Sequence, residues 1–312
     1  MSGIFSITEA HINRLSNEDC VELFGELLHA NARQLKIPVS KITFTWKTRA
    51  DGGIDASVED GLVEEGDLII DTETFYQIKS GVTFSPWQLA VIKDELLGDK
   101  DEIKENLGSE VQRCFERDGT YVLVCMKKSL TTAEKNEAEE NLKTVFVNCG
   151  ISNPKVKVWG QEKIIGTLYR FPSLILRVTG RDREIFLSHK DWATGDEMRK
   201  TLVIGKEQEE FIKTIRESLT DDSEAIHLNV YGETGVGKTR LIFESTKDPF
   251  LEPLVVYVDN PRNFKDSRLM TEIIRDETLH VILIIDECQL DDRLYIWEKL
   301  KNLNSRIKLV TI

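Results

Sequence analysis

The chain has 312 residues, 40% hydrophobic and 30% charged, the proportions of an ordinary globular protein with room for about two domains. A formal net charge of −13 argues against a generally basic, nucleic-acid-coating surface, so any nucleic-acid site has to be a local groove or one assembled between copies. The N-terminus lacks a basic-then-apolar leader, no apolar run is long enough to span a bilayer, and the five cysteines form no Cys-x-x-Cys pair; together these predict a cytoplasmic protein with reduced thiols and no membrane partner.

In chain order, Asn17 can cap a helix over 17–36, where Val21, Phe24, Leu28 and Leu35 recur on one face and Pro38 follows the end. Ile42, Phe44 and Trp46 alternate with threonines, predicting a strand over 41–47. Asp51-Gly52-Gly53 predicts a turn, and 54–58 and 67–80 predict further sheet. Helices are expected over 86–96, 108–117 and 132–146, with short strands at 121–125 and 155–159. One helix, a strand cluster and then alternating helices and strands predict an α/β domain over residues 1–180. The polar stretch 181–201 reads as a linker. A second α/β domain is expected over 202–312, with strands at 226–231, 254–258, 280–285 and 306–312 and a helix from Lys238. A parallel nucleotide-binding sheet generally has more strands than these, so the sequence is expected to end inside this domain.

Residues Gly232-Glu233-Thr234-Gly235-Val236-Gly237-Lys238-Thr239 fit the G-x-x-x-x-G-K-[ST] pattern of a P-loop, between a predicted strand and a predicted helix. Glycines let the backbone wrap phosphates closely, and its N–H groups and the helix N-terminus supply positive partial charge. Lys238 would reach the β- and γ-phosphates of ATP, and the Thr239 hydroxyl would bind Mg²⁺; Arg240 follows as a further nucleotide contact. Asp286-Glu287 emerge from the apolar run Val281–Ile285, at the carboxyl end of a strand, where open α/β sheets bind ligands. Asp286 is the expected Mg²⁺ partner and Glu287 the residue that orients or activates water.

The first domain carries a second pattern. Asp55 is followed, 22 positions on, by Gln77-Ile78-Lys79. Residues 77 and 79 share one face of a strand, and an aspartate on the neighbouring strand can share it too. Asp55, with the Ile78 carbonyl, could hold Mg²⁺, while Gln77 adds a polar oxygen and Lys79 positions water and offsets phosphate charge. Glu22 on the first helix could complete the site, though Glu26 lies one turn on and shares its face. Spacing alone also fits a plain solvent face. Trp46 and Trp87 could stack on bases or simply pack in the core, and His11, His29, His189, His227 and His280 show no metal or triad spacing.

Residues 18–81, through Glu22, Asp55, Gln77 and Lys79, resemble the Mrr-like branch of the restriction-endonuclease superfamily. The resemblance implies a restriction-endonuclease-like α/β fold and Mg²⁺-dependent cleavage of double-stranded DNA. Gln77 stands where many relatives carry an acid, which implies weaker metal binding. Val203-Ile-Gly-Lys-Glu-Gln-Glu-Glu-Phe211, the glycine loop, Ile284-Ile-Asp-Glu-Cys288 and Lys308-Leu-Val-Thr-Ile312 resemble STAND ATPases of bacterial antiviral (Avs-type) systems. Those place a nuclease before the ATPase and a repeat sensor after it. This implies an ATPase-coupled endonuclease in which a phage protein binds a C-terminal region beyond residue 312, ATP drives homo-oligomerisation (a tetramer being one candidate size), and the nucleases are brought together on DNA. Two other readings stay open: a type IV-like NTP-dependent restriction enzyme acting directly on DNA, and a nucleotide-switch scaffold whose first domain is not catalytic.

Overall fold

The computed structural model describes residues 6–44, 53–61, 68–98, 107–180, 185–199, 201–221, 226–303 and 306–312. The chain is α/β with two mixed sheets, in two compact units, one of Thr8–Thr167 and one of Leu168–Ile312 together with the residues up to Ile7. Among the described residues no helix is long and apolar enough to cross a membrane.

The first unit opens with α1 (Glu9–Asn13) and α2 (Asn17–Gln34). Ser16, rather than Asn17, caps α2: its hydroxyl accepts from the Asp19 N–H at 3.0 Å while the Asp19 carboxylate accepts from the Ser16 N–H at 3.3 Å. This reciprocal box satisfies two otherwise orphaned donors, so the helix starts one residue after the serine.

A sheet follows in the order β1 (Ile42–Phe44), β2 (Ala56–Val58), β3 (Thr74–Lys79), β4 (Thr120–Cys125) and β5 (Lys155–Trp159). The first three strands are antiparallel and the last three parallel. The rest of the expected 41–47 strand, with Trp46, and Asp51 and Gly52 of the expected turn lie outside the described residues. β3 is shorter than the predicted 67–80. Upstream of it, the Leu68 and Ile69 N–H groups donate to Asn31 Oδ1 at 3.0 and 3.2 Å, and Asp71 accepts from the Thr72 N–H at 2.8 Å. Side chains thus take the backbone donors that a longer strand would have needed.

Period-two alternation divides β3. Tyr76 packs on Phe24 of α2, ring centroids 5.3 Å apart, and on Trp159 at 6.0 Å. Phe75 faces the other way, into a core with Tyr121, Leu123, Val156 and Val158. That core is covered by α3 (Leu89–Leu97), α4 (Ser109–Glu116) and α5 (Thr132–Asn148) through Ile92, Leu96, Val111, Leu142 and Phe146. The two faces of one strand therefore see different helices, and a residue's parity decides its surroundings. Helix α6 (Gln161–Leu168) ends the unit.

The second unit begins earlier than the expected 181–201 linker. Helix α7 (Pro172–Thr179) buries Leu174, Ile175 and Leu176 and packs on β6 (Leu187–Ser188), which pairs antiparallel with β8 (Val255–Val258). Short helices α8 (His189–Trp192) and α9 (Asp196–Arg199) follow. The segment looked like a linker because its charges are dense, but Phe186, His189 and Trp192 are buried. A two-residue strand and a four-residue helix are too short to show a period. Residues 181–184 and 200 lie outside the described residues.

Beyond α10 (Lys206–Thr220) come β7 (Ile226–Asn229), α11 (Lys238–Thr246), β8, α12 (Pro261–Lys265), α13 (Arg268–Arg275), β9 (Val281–Ile285), α14 (Leu290–Leu300) and β10 (Ile307–Thr311). The strand order is β6-β8-β9-β10-β7, parallel except for β6. β9 is buried on both faces, as its unbroken Val-Ile-Leu-Ile-Ile sequence requires. β10 lies between β7 and β9, so the loop after β7 and the acids after β9 flank the end of one central strand.

Candidate functional site

The loop between β7 and α11 carries Gly235 at φ +84° and Gly237 at φ +86°. A Cβ built on either would meet no atom within 4 Å. Glycine is thus required by backbone conformation, not by crowding: a left-handed φ costs other L-residues roughly 1–2 kcal/mol. The space beside the loop stays open to a ligand, and Glu233, Thr234 and Val236 are exposed around it. Lys238 folds back over the loop, donating from Nζ to the carbonyls of Gly232 and Glu233 at 3.0 Å each. Its ammonium is thereby held at the mouth of the loop, within reach of an anion there.

Thr239, the next residue, donates from Oγ1 to Asp286 Oδ2 at 2.8 Å. Tyr257 of β8 donates to the same oxygen at 3.0 Å and is stacked on Trp192, centroids 4.3 Å apart and planes 12° off parallel. The other carboxylate oxygen accepts from the Glu287 N–H at 2.9 Å. Glu287 itself is exposed and sits at φ +50°, in the left-handed region. A hydroxyl and a carboxylate so paired, beside a glycine loop, are oxygen donors of the kind Mg²⁺ takes.

Arg240, expected at the nucleotide, is placed otherwise. Its guanidinium bonds Glu244, one turn further along α11, at 3.0 and 2.7 Å, and the Met198 carbonyl at 2.6 Å. It ties α9 to α11. Arg216 of α10 donates to the carbonyls of Ser245 and Glu244 at 3.1 and 2.9 Å, closing the last turn of α11. The two helices pack side by side, with Arg216 joining α10 to the carboxyl end of α11. In the segment before α10, Val203 is 89% exposed, beside Ile204.

In the first unit, Asp55 immediately precedes β2 and, by extension of the Ala56–Tyr76 register, stands opposite Gln77. Its backbone N–H donates to the Tyr76 carbonyl at 2.8 Å, and its Oδ2 accepts from the Ile78 N–H at 2.6 Å. Gln77 and Lys79 share its face. Gln77 is 4% exposed: Nε2 donates to Glu95 Oε1 at 2.9 Å, and Oε1 accepts from the Tyr121 hydroxyl. Lys79 pairs with the same Glu95 oxygen. Burial first, then the negative charges of Glu95 and Asp55, hold the Tyr121 phenol far above its ordinary pKa, so it remains a donor.

Asp55, Gln77 and Lys79 are therefore brought together. Glu22 and Glu26 are both half-buried on α2, which packs on the opposite face through Phe24 and Tyr76. Glu95 of α3 is an acid that meets both Gln77 and Lys79. In the sequence its only signal was an acid next to the buried positions Ile92 and Leu96 of a short helix. Lys128 lies over Trp87, 5.1 Å from the ring centroid, and Trp87 packs against the first unit's core as a part-buried residue. No group of three or more His, Cys, Asp or Glu side chains that could hold a metal occurs among the described residues. The donor set here is instead one or two carboxylates with a backbone oxygen, a set suited to a hard cation. The five cysteines are free thiols, three of them buried.

Set against known proteins, the chain matches no family model, no curated protein and no solved structure.

Proposed function

We propose that this chain is a cytoplasmic antiviral defence protein in which ATP-driven assembly activates an Mg²⁺-dependent endonuclease that cuts double-stranded DNA. The second unit is the nucleotide switch, of the STAND kind, and the first is the nuclease, of the Mrr-like kind. The observation that carries the nucleotide half is the Thr239–Asp286 hydrogen bond beside the positive-φ glycine loop. It joins the two halves of a phosphate-and-metal site across the carboxyl end of a parallel sheet. In this reading the loop N–H groups and Lys238 hold the phosphates. Thr239 and Asp286 hold Mg²⁺, which offsets phosphate charge when bound. The left-handed backbone at Glu287 supports a working role, because such strain of roughly 1–3 kcal/mol persists where the surroundings enforce it. Glu287 would then orient the attacking water.

Support for the nuclease half is the common face of Asp55, Gln77 and Lys79. Asp55 and the Ile78 carbonyl would hold the metal, and Lys79 would face the scissile phosphate. A phage protein would be the trigger, and a homo-oligomer the active form.

The direct test is equilibrium binding of labelled ATP to the chain and to Lys238→Ala. Loss of the one mobile ammonium at the loop should abolish binding. Equal affinity in the two proteins would remove the basis of the assignment.

A further inference from the structure

We propose that Glu95, on α3, is the second acid of the Asp55–Gln77–Lys79 site and supplies to a divalent cation the carboxylate that strand position 77 lacks. The inference rests on reading this site as a metal-dependent nuclease.

Position 77 is neutral, and its amide is spent at both ends. Nε2 donates to Glu95 at 2.9 Å and Oε1 accepts from the Tyr121 hydroxyl. An amide so engaged is a poor cation ligand. Glu95, however, delivers a carboxylate to within one hydrogen bond of the place a strand acid at 77 would occupy. The delivery is built in: Ile92 and Leu96, on the same helix, are buried in the core shared with β3 and β4, which fixes α3 against this face. Asp55 is fixed opposite by the Ile78 N–H at 2.6 Å.

The site is also reachable. Lys79 and Glu95 side chains are 25% and 26% exposed. Lys79 is the counter-ion of Glu95 in the structure, the group with which a divalent cation would exchange. Hard cations take carboxylate oxygen before amide oxygen, and affinity rises with the number of charged ligands. Asp55 and Glu95 together give the charge that Asp55 and Gln77 would not. Gln77 then acts as a positioning residue, its amide aiming Glu95, and Tyr121 holds Gln77 in turn.

The test is Mn²⁺ titration followed by electron paramagnetic resonance, in the whole chain carrying Asp286→Asn so that the glycine-loop site does not contribute. Against this parent, Glu95→Gln should weaken Mn²⁺ binding about a hundredfold or more, beyond the roughly 10–100-fold typical of an outer-shell partner. Moving the charge back to the strand, in Glu95→Gln with Gln77→Glu, should restore affinity to within about tenfold of the parent. A helix acid that merely clamps Lys79 would not be replaced by a strand acid. Restoration also shows that the single variant is folded. If Glu95→Gln binds Mn²⁺ like the parent while Asp55→Asn does not, Glu95 is no ligand and the site stands on Asp55. If the double variant stays as weak as Glu95→Gln, the clamp role replaces the ligand role. If the parent itself binds no Mn²⁺, or Asp55→Asn and Glu95→Gln both match it, the metal reading of the whole site falls along with this one.

Discussion

Asp286 is held by three donors: the Thr239 hydroxyl, the Tyr257 hydroxyl and the Glu287 N–H. Thr239 and Glu287 belong to motifs visible in the sequence; Tyr257 does not. Tyr257 was hidden because its role depends on β8 lying beside β9, with Val258 level with Ile285. Its hydroxyl donates to a carboxylate, a class of hydrogen bond worth about 1.5–3 kcal/mol. Its ring is fixed by the stack on the buried Trp192. Tyr257→Phe keeps that stack and removes only the donor, so Asp286 should be less well aimed at the metal. The apparent Mg²⁺ requirement for nucleotide turnover should rise about tenfold, each tenfold being about 1.4 kcal/mol. ATP affinity measured without Mg²⁺ should stay unchanged. A Mg²⁺ dependence equal to that of the unmodified chain would show that Thr239 and the backbone suffice to hold Asp286.

At the scale of elements, the segment β6–α8–α9 is a packed part of the second sheet, and His189 at its centre reports on that packing. The ring stacks on Phe243 of α11, centroids 4.7 Å apart and 5° from parallel, and its Nε2 is buried without a hydrogen-bond partner among the described residues. Burial depresses the His189 pKa from 6.5 to about 4. The unfolded chain then binds a proton that the folded one refuses between those values, so stability is full above about pH 6.5 and falls as the pH drops toward 4. By pH 5 the loss from this residue should be about 2 kcal/mol. Chemical denaturation at pH 7 and pH 5 checks it, with His189→Phe, which retains the stack, expected to show a shallower decline. Equal declines would mean other groups control the acid limb. The sequence showed elements with a clear period or chemistry: α2 and α5 by their apolar stripes, β4, β5 and β9 by unbroken or alternating apolar runs, the glycine loop by its motif. It did not show β6 or α8, too short for a period. It did not show where the first unit ends, because α7 is apolar in a way either unit could bury. Glu95 was missed for a related reason. Its partners Gln77 and Lys79 lie 18 and 16 positions earlier on another element, and only the fold joins them.

For the whole molecule the governing quantity is charge. A chain of net −13 gains little from long-range attraction to DNA, whose non-specific affinity depends on how many phosphates are neutralised. On and just after β3 and β4, Lys79 pairs with Glu95, Lys127 donates to the Leu15 carbonyl at 2.5 Å, and Lys128 lies over Trp87. On net charge alone, one copy is expected to hold DNA weakly, and several copies side by side could line a groove. If nucleotide acts only by promoting that assembly, a tether should replace it. Fusing the chain to a parallel dimeric coiled coil raises the local concentration of a second copy to roughly millimolar, which can strengthen joint binding by about 10²–10⁴-fold. The tethered chain with Mg²⁺ should therefore cut plasmid at nanomolar concentrations where the free chain does not. Carrying Lys238→Ala, the tethered chain should still cut, while the free Lys238→Ala chain should stay inactive at the same nanomolar concentrations, with or without ATP. Lys79→Ala and Asp55→Ala should abolish cutting in both formats. Raising the salt should weaken all cutting by competing for the phosphates. Cutting by the free chain as efficient as by the tethered one would remove assembly from the mechanism. A tethered Lys238→Ala chain that is inactive while the tethered parent cuts would mean that nucleotide reshapes the nuclease as well as gathering it.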